Sequence, residues 1–239
     1  PILPIYSTFL QRAYDQIIND LCINNSNALI LVYRASIYGN KDMTHLGFND
    51  ITMLSNMPNL MYLAPTTVEE LESSIHYGVE HHNHPIAIRI PVGSPIYETS
   101  QSNTTGCPVT SCNITQSGNT IAIIGVGNFY HKAVELSHAI HDAIHILPTL
   151  VKPLCISSLD TDTLNELTKN HNIVITLEDG ELEGGYGQKI ASYYGKTSMN
   201  VLNYGISKQF YDRYNPEDVL QQNHLDFEHI LDDIQNIQH

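Results

Sequence analysis

The sequence predicts an α/β protein with two domains, each a three-layer structure built on a mainly parallel sheet. Short apolar runs rich in β-branched residues alternate with segments of helical periodicity, and this alternation occurs twice along the chain. Such alternation is typical of a parallel sheet that helices cover on both faces. A stretch rich in Gly, Pro, Ser, Thr and Asn separates the two series. We therefore expect domains at residues 1–92 and 118–239, joined by a linker at residues 93–117.

The first domain is predicted to begin with an amphipathic helix. Apolar residues recur at every fourth position, a spacing that places their side chains on one face of a helix. These residues are Ile5, Phe9, Ala13, Ile17 and Leu21. Ser7 or Thr8 is expected to cap the amino terminus of this helix, because a hydroxyl can accept a hydrogen bond from one of its free amide groups.

Three buried strands and a second helix complete the predicted first domain. The strands are expected at residues 28–33, 60–63 and 86–90. The helix is expected at residues 66–79, because Thr67 is followed three residues later by Glu70 in a capping-box pattern.

The second domain repeats the alternation of strands and helices. Strands are expected at residues 120–124, 145–147, 173–177 and 200–202. Helices are expected at residues 132–143, 158–169 and 186–194.

The composition narrows the class of function. The 239 residues include 11 Lys and Arg against 25 Asp and Glu, a formal net charge of -14. Such a surface repels nucleic-acid phosphates and anionic lipids, so neither is an expected partner. No apolar run approaches the roughly 18 residues that span a bilayer. Cys22 and Cys155 lie in apolar segments, as reduced thiols usually do. We expect a soluble cytoplasmic protein.

A polar loop follows the predicted strand at residues 28–33. Ligands of open α/β sheets bind at the carboxyl ends of the strands, which is where this loop begins. It carries Arg34, Lys41, Asp42 and His45. A histidine alone in a loop is usually a solvated surface residue, so this loop by itself assigns His45 no role.

Several segments resemble 1-deoxy-D-xylulose-5-phosphate synthase, a transketolase-like family that uses thiamine diphosphate. The most specific is the run IYSTFLQRAYDQ at residues 5–16. The others are THLG at 44–47, VKPL at 151–154, TLED at 176–179 and GGYG at 184–187. The resemblance covers essentially the whole chain but only about the last two fifths of a full synthase. It implies part of a pyrimidine-binding domain followed by a transketolase C-terminal domain.

The resemblance also implies roles for individual residues. Phe9 matches a phenylalanine that stacks on the aminopyrimidine ring of thiamine diphosphate, and Tyr6 and Arg12 match residues of the same cleft. His45 matches a catalytic histidine on the thiazolium side. Arg34 and Arg89 match two arginines that bind the substrate phosphate, and two guanidinium groups hold a dianion better than one.

The implied reaction joins pyruvate and D-glyceraldehyde 3-phosphate to give 1-deoxy-D-xylulose 5-phosphate and CO2, a step towards isoprenoids and thiamine. No metal ligand is expected within the chain. It contains no Gly-Asp-Gly element with a distant Asn, the family's site for Mg2+ and the diphosphate, and no activating Glu. We therefore expect the chain to be inactive without an amino-terminal part of the same enzyme or a separate subunit, and the complete enzyme to be a homodimer.

Three positions depart from the family pattern and keep other functions open. Lys41 stands where the family has an aspartate, unless a one-residue shift gives that role to Asp42. Val92 and Ser55 each stand where the family has an arginine. One alternative is a transketolase or a 2-oxoacid dehydrogenase beta-type subunit. Another is a non-catalytic paralogue that assembles or regulates.

Overall fold

Two β-sheets flanked by helices form the protein, which confirms the α/β class. The computed structural model describes residues 1–39, 42–80, 83–93 and 109–238. The first sheet has four strands in the order β1-β2-β4-β3, all parallel. These strands are β1 (Ile2–Tyr6), β2 (Leu29–Tyr33), β3 (Met61–Leu63) and β4 (Ile86–Arg89).

The second sheet has five strands in the order β5-β7-β6-β8-β9, of which only the edge strand β5 is antiparallel. They are β5 (Cys112–Gln116), β6 (Thr120–Gly125), β7 (Thr149–Pro153), β8 (His171–Glu181) and β9 (Asn200–Ile206).

The α-helices are α1 (Tyr14–Gln16), α2 (Asp50–Leu54), α3 (Val68–Glu80), α4 (Phe129–Ile144), α5 (Thr161–Leu167), α6 (Tyr186–Tyr194), α7 (Pro216–Gln222) and α8 (Phe227–Gln238). Short 3₁₀ helices span Ser7–Arg12 and Met43–His45, and a π-helix spans Ile17–Cys22. Within the described ranges, no helix is both long enough and apolar enough to cross a membrane.

The helix predicted after about Ser7 forms, but not as one regular α-helix, and Ile5 is not part of it. Ile5 belongs to β1 and pairs with Val32 of β2, so parallel pairing with the sheet overrides the helical spacing. The helical part that follows changes from 3₁₀ to α to π geometry. Ser7 and Thr8 do not cap it. The N-cap is Tyr6, which provides no side-chain hydrogen bond.

Two further predictions in the second half of the chain are corrected. Residues 145–147 form no strand, because α4 continues to Ile144 and His145 ends it in the left-handed conformation, with φ of 58°. The strand begins later, at Thr149. Cys112–Gln116, expected in the linker, form β5 at the edge of the second sheet. The other predicted strands and helices appear close to their predicted positions, whereas α2, α7 and α8 were not predicted.

The two sheets are joined through buried polar contacts. Lys152 of β7 forms an ion pair with Glu70 of α3, at 2.5 Å between Nζ and Oε1, and both side chains are buried. The same Glu70 accepts a hydrogen bond from the backbone N–H of Thr66, and its own N–H donates to the Thr67 hydroxyl. The predicted capping pattern therefore forms. The segment after β7 also pairs with β3, where the Ala64 N–H donates to the Leu154 carbonyl.

Candidate functional site

The candidate site lies at the carboxyl ends of β1 and β2, where the sequence predicts ligand binding. Tyr6 ends β1 and pairs with Tyr33, the last residue of β2, so the loop that begins at Arg34 starts beside the aromatic segment. A cavity at this edge is lined by Tyr6, Thr8, Arg34, Tyr38 and His45. The Thr8 hydroxyl donates to the Thr44 carbonyl at 2.7 Å, and this bond ties the two segments together.

Four of the predicted residues form one aromatic and cationic cluster. The rings of Tyr6 and Phe9 are stacked, with centroids 6.0 Å apart and planes 17° apart. The His45 ring meets Phe9 edge-on at 5.5 Å, and the Arg12 guanidinium carbon lies 5.8 Å from the Phe9 centroid. Phe9 and His45 are both partly accessible to solvent. The cluster thus offers flat aromatic surface beside a group that can exchange protons.

Arg34 is also placed in this cluster. Its guanidinium carbon lies 5.1 Å from the centroid of the Tyr6 ring, a cation–π arrangement. The side chain is exposed and has no carboxylate partner among the residues that the structure describes. Its backbone has φ of 53°, a costly conformation that clusters at functional sites. Arg34 is therefore a cation available to an anionic ligand.

Gly47 closes the loop between Arg34 and His45. The Ser36 N–H donates to the Gly47 carbonyl at 2.7 Å. A Cβ atom at position 47 would lie 2.2 Å from the Arg34 carbonyl oxygen, so only glycine allows this approach. The close contact holds the two ends of the loop together.

Asp42 and Thr44 orient the His45 imidazole. Nδ1 of His45 lies 3.2 Å from Asp42 Oδ1 and 2.8 Å from the Thr44 hydroxyl. Hydrogen bonds from Thr44, and next from His45, lower the pKa of Asp42 to about 2, so this carboxylate stays ionised. With Nδ1 occupied, Nε2 is the nitrogen left to exchange a proton with a ligand. Asp42 can therefore hold the His45 imidazole in the orientation that a general base needs.

Arg89 does not line this cavity, and its predicted role in phosphate binding stays a prediction. The side chain is only 2% exposed. Its Nε donates to Asp50 at 2.8 Å, and its Nη1 pairs with Asp179 of the second sheet. Tyr62 donates to the same Asp50, and Asn128 donates to Asp179 at 2.9 Å. Two buried carboxylates hold the guanidinium between the sheets, so a substrate phosphate would have to compete with them for Arg89.

Residues at two of the three departures from the family pattern make contacts with the second half of the chain, and only the Ser55 contact depends on the side chain. The Ser55 hydroxyl accepts a hydrogen bond from Lys189 Nζ at 2.9 Å, and the Val92 N–H donates to Asn128 Oδ1 at 3.0 Å. Both contacts link the first half of the chain to the second. The third departure, Lys41, lies outside the described residues.

Tyr38 and Thr8 also line the cavity, and the sequence did not single them out for it. Tyr38 sits within the loop of Arg34 and His45, so its place in that loop was the available signal.

Two family models match the chain along most of its length. Residues 1–94 match the family model of the transketolase pyrimidine binding domain, and residues 110–230 match that of the transketolase C-terminal domain. The chain belongs to the transketolase family. Within that family, its many curated relatives include 1-deoxy-D-xylulose-5-phosphate synthases, which confirms the resemblance drawn from the motifs.

Three of these synthases illustrate the similarity. The chain is 31% identical to the synthase of Clostridium tetani, over 99% of this chain and 38% of that protein. It is 34% identical to the synthase of Nitrosococcus oceani, over 97% of this chain and 35% of that protein. It is 34% identical to the synthase of Gloeothece citriformis, over 98% of this chain and 37% of that protein. This transketolase-family chain thus spans little more than a third of the length of these relatives.

A solved structure supports the fold. The protein described as "Split gene transketolase, inactive beta4 tetramer" superposes on 99% of this chain and 75% of its own, with a TM-score of 0.84 and 20% sequence identity. The transketolase-like arrangement of two α/β domains is therefore shared.

Proposed function

We propose that this chain is the carboxyl-terminal part of a 1-deoxy-D-xylulose-5-phosphate synthase-like transferase that depends on thiamine diphosphate. The observation that carries the proposal is the convergence of Tyr6, Phe9, Arg12, Arg34 and His45 at one edge of a parallel sheet. Together these side chains can stack on an aromatic ring, bind an anionic group and exchange a proton with a ligand. Similarity to curated synthases along nearly the whole chain supports the same reading.

The residues fit one end of the cofactor. Phe9 and Tyr6 supply the aromatic surface on which an aminopyrimidine ring can stack, and Arg12 lies beside Phe9. Among the described residues, no group of three or more His, Cys, Asp or Glu side chains could hold a metal ion. We propose that the amino-terminal part of the enzyme, on the same polypeptide or on another subunit, holds Mg2+ and the diphosphate. When bound, thiamine diphosphate supplies the nucleophilic carbon of the reaction.

The remaining roles follow from charge and geometry. Arg34 binds the phosphate of D-glyceraldehyde 3-phosphate through charge-assisted hydrogen bonds. His45, oriented by Asp42, moves a proton to and from the substrate oxygen while the donor pyruvate is joined to the acceptor. The domain boundaries proposed from the sequence, residues 1–92 and 118–239, are changed only so that the second domain begins at β5 (Cys112–Gln116). We further propose that the complete enzyme is a homodimer and works in the reducing cytoplasm, where Cys22, Cys112 and Cys155 remain the free thiols that the structure shows.

Complementation tests this function. Purified residues 1–239 are mixed with the amino-terminal part of a curated relative, pyruvate, D-glyceraldehyde 3-phosphate, thiamine diphosphate and Mg2+. We expect 1-deoxy-D-xylulose 5-phosphate, detected by mass spectrometry, from the mixture and from neither part alone. Each part alone is the matched control.

Three outcomes would contradict the proposal. Product from residues 1–239 alone would show that the chain needs no complement. Turnover of ketose donors in place of pyruvate would indicate a transketolase. A stable complex of the two parts that forms no product with either donor would indicate a non-catalytic paralogue.

A further inference from the structure

Tyr38 lines the same cavity as Arg34 but is not among the residues that match the synthase motifs. Its side chain is half-buried, and its hydroxyl has no hydrogen-bond partner within the part of the chain that the structure describes. The hydroxyl is not one of the fully buried polar atoms that lack a partner, so solvent or a ligand can reach it. The nearby Arg34 guanidinium lacks a carboxylate partner in the same ranges. Two donors without carboxylate partners thus line one cavity of about 10 Å³, which is too small to enclose a phosphate, so an anion would contact both donors at the opening of the cavity.

The second half of the chain fixes the position of Tyr38. The Tyr38 backbone opposes the rise that burial causes in the pKa of Tyr214, so Tyr214 of the second half lies close to it. The next residue, Gly39, packs so closely that a Cβ atom there would lie 2.6 Å from Cδ of Pro216 and 3.1 Å from the Tyr214 carbonyl oxygen. The loop therefore presents Tyr38 to the cavity in a defined orientation. Such preorganisation lowers the entropic cost of binding a ligand.

We infer that Tyr38 is a substrate-binding residue, whose hydroxyl donates a hydrogen bond to the acceptor phosphate held by Arg34. This inference rests on the proposed function, since it names the second contact to that phosphate. The Arg89 guanidinium is already paired with Asp50 and Asp179, whereas the Tyr38 hydroxyl has no such competing partner among the described residues.

The electrostatic surroundings suit this role. Burial raises the pKa of Tyr38, although the nearby Arg34 and Arg89 oppose the shift, so the phenol keeps its proton at neutral pH. A protonated phenol can donate to a phosphate oxygen, whereas a phenolate would repel it.

Titration of residues 1–239 with inorganic phosphate, followed by NMR chemical-shift changes, tests the inference. The wild-type chain is expected to show saturable binding, with shifts at the loop of Arg34 and Tyr38. Tyr38→Phe should weaken this binding about tenfold, because it removes one hydrogen bond to a charged group. Arg34→Ala should remove saturable binding. The matched control is Tyr33→Phe, which removes a hydroxyl at the end of β2 from a residue that does not line the cavity.

Phosphate binding that is equally tight in Tyr38→Phe and wild type would overturn the inference, and so would a wild-type chain without saturable binding. The complementation assay separates this result from failure of the proposed function. Phosphate binding that depends on Tyr38, in a chain that yields no product with its complement, would refute the reaction alone. Product formation with an unchanged KM for D-glyceraldehyde 3-phosphate in Tyr38→Phe would refute the inference alone.

Discussion

Replacing Arg89 with alanine is expected to lower the free energy of unfolding by about 3–5 kcal/mol. The substitution leaves Asp50 and Asp179, both fully buried, without their shared cation. An uncompensated buried charge is far more costly than a lost surface contact. Because the cluster joins the two sheets, the loss should affect the cooperative unfolding of the whole chain. Urea denaturation followed by far-UV circular dichroism measures it.

Arg213→Ala is the matched control for this experiment. Arg213 is exposed and lies 3.8 Å from Asp212, so removing its side chain should change stability by less than about 1 kcal/mol. Arg89→Lys should fall between the two variants, because it keeps a charge but loses the planar fork. Equal stability of Arg89→Ala and Arg213→Ala would show that Arg89 does not bind the sheets together.

Replacing Arg34 with alanine should raise the KM for D-glyceraldehyde 3-phosphate by roughly one to two orders of magnitude in the complemented enzyme. Hydrogen bonds to a charged group contribute about 1.5–3 kcal/mol, and Arg34 is the exposed cation beside the aromatic cluster. The KM for pyruvate should stay nearly unchanged. Steady-state kinetics with each substrate varied in turn provides the measurement.

His45→Ala and unphosphorylated D-glyceraldehyde serve as comparisons for the Arg34 variant. Since His45 is proposed to transfer a proton, its loss should lower kcat more than it raises KM. The wild-type enzyme should use the unphosphorylated aldehyde poorly, and Arg34→Ala should not alter that poor use. Equal use of both aldehydes by the wild type would exclude a phosphate contact at Arg34.

The sequence predicted the strands and helices that are determined by their own residue pattern. The buried strands β2, β4 and β6 are apolar runs, and α6 was located at the residues that the structure shows. Predictions failed where tertiary pairing or one backbone angle decides. Pairing with β2 makes residues 2–6 a strand, and the left-handed His145 moves the next strand four residues along the chain.

In the candidate site, too, the sequence predicts local proximity but not contacts between distant parts of the chain. Tyr6, Phe9 and Arg12 lie within one short motif, so their proximity follows from the sequence. The difference between Arg34 and Arg89 does not, because it depends on partners far away along the chain. Asp179, which forms an ion pair with Arg89, is 90 residues away along the chain. A motif can identify two arginines, but only the fold shows which one is free.

We propose that this chain provides the ring-binding side of a thiamine diphosphate site and needs a complement for the rest. Isothermal titration of thiamine diphosphate with Mg2+ into residues 1–239, alone and with the amino-terminal part, measures both the weak binding and the effect of the complement. Stacking on Phe9 is worth about 1 kcal/mol beyond burial, so the isolated chain should bind no tighter than about millimolar. The complemented enzyme should bind in the micromolar range or tighter, and micromolar binding by the isolated chain would contradict the claim.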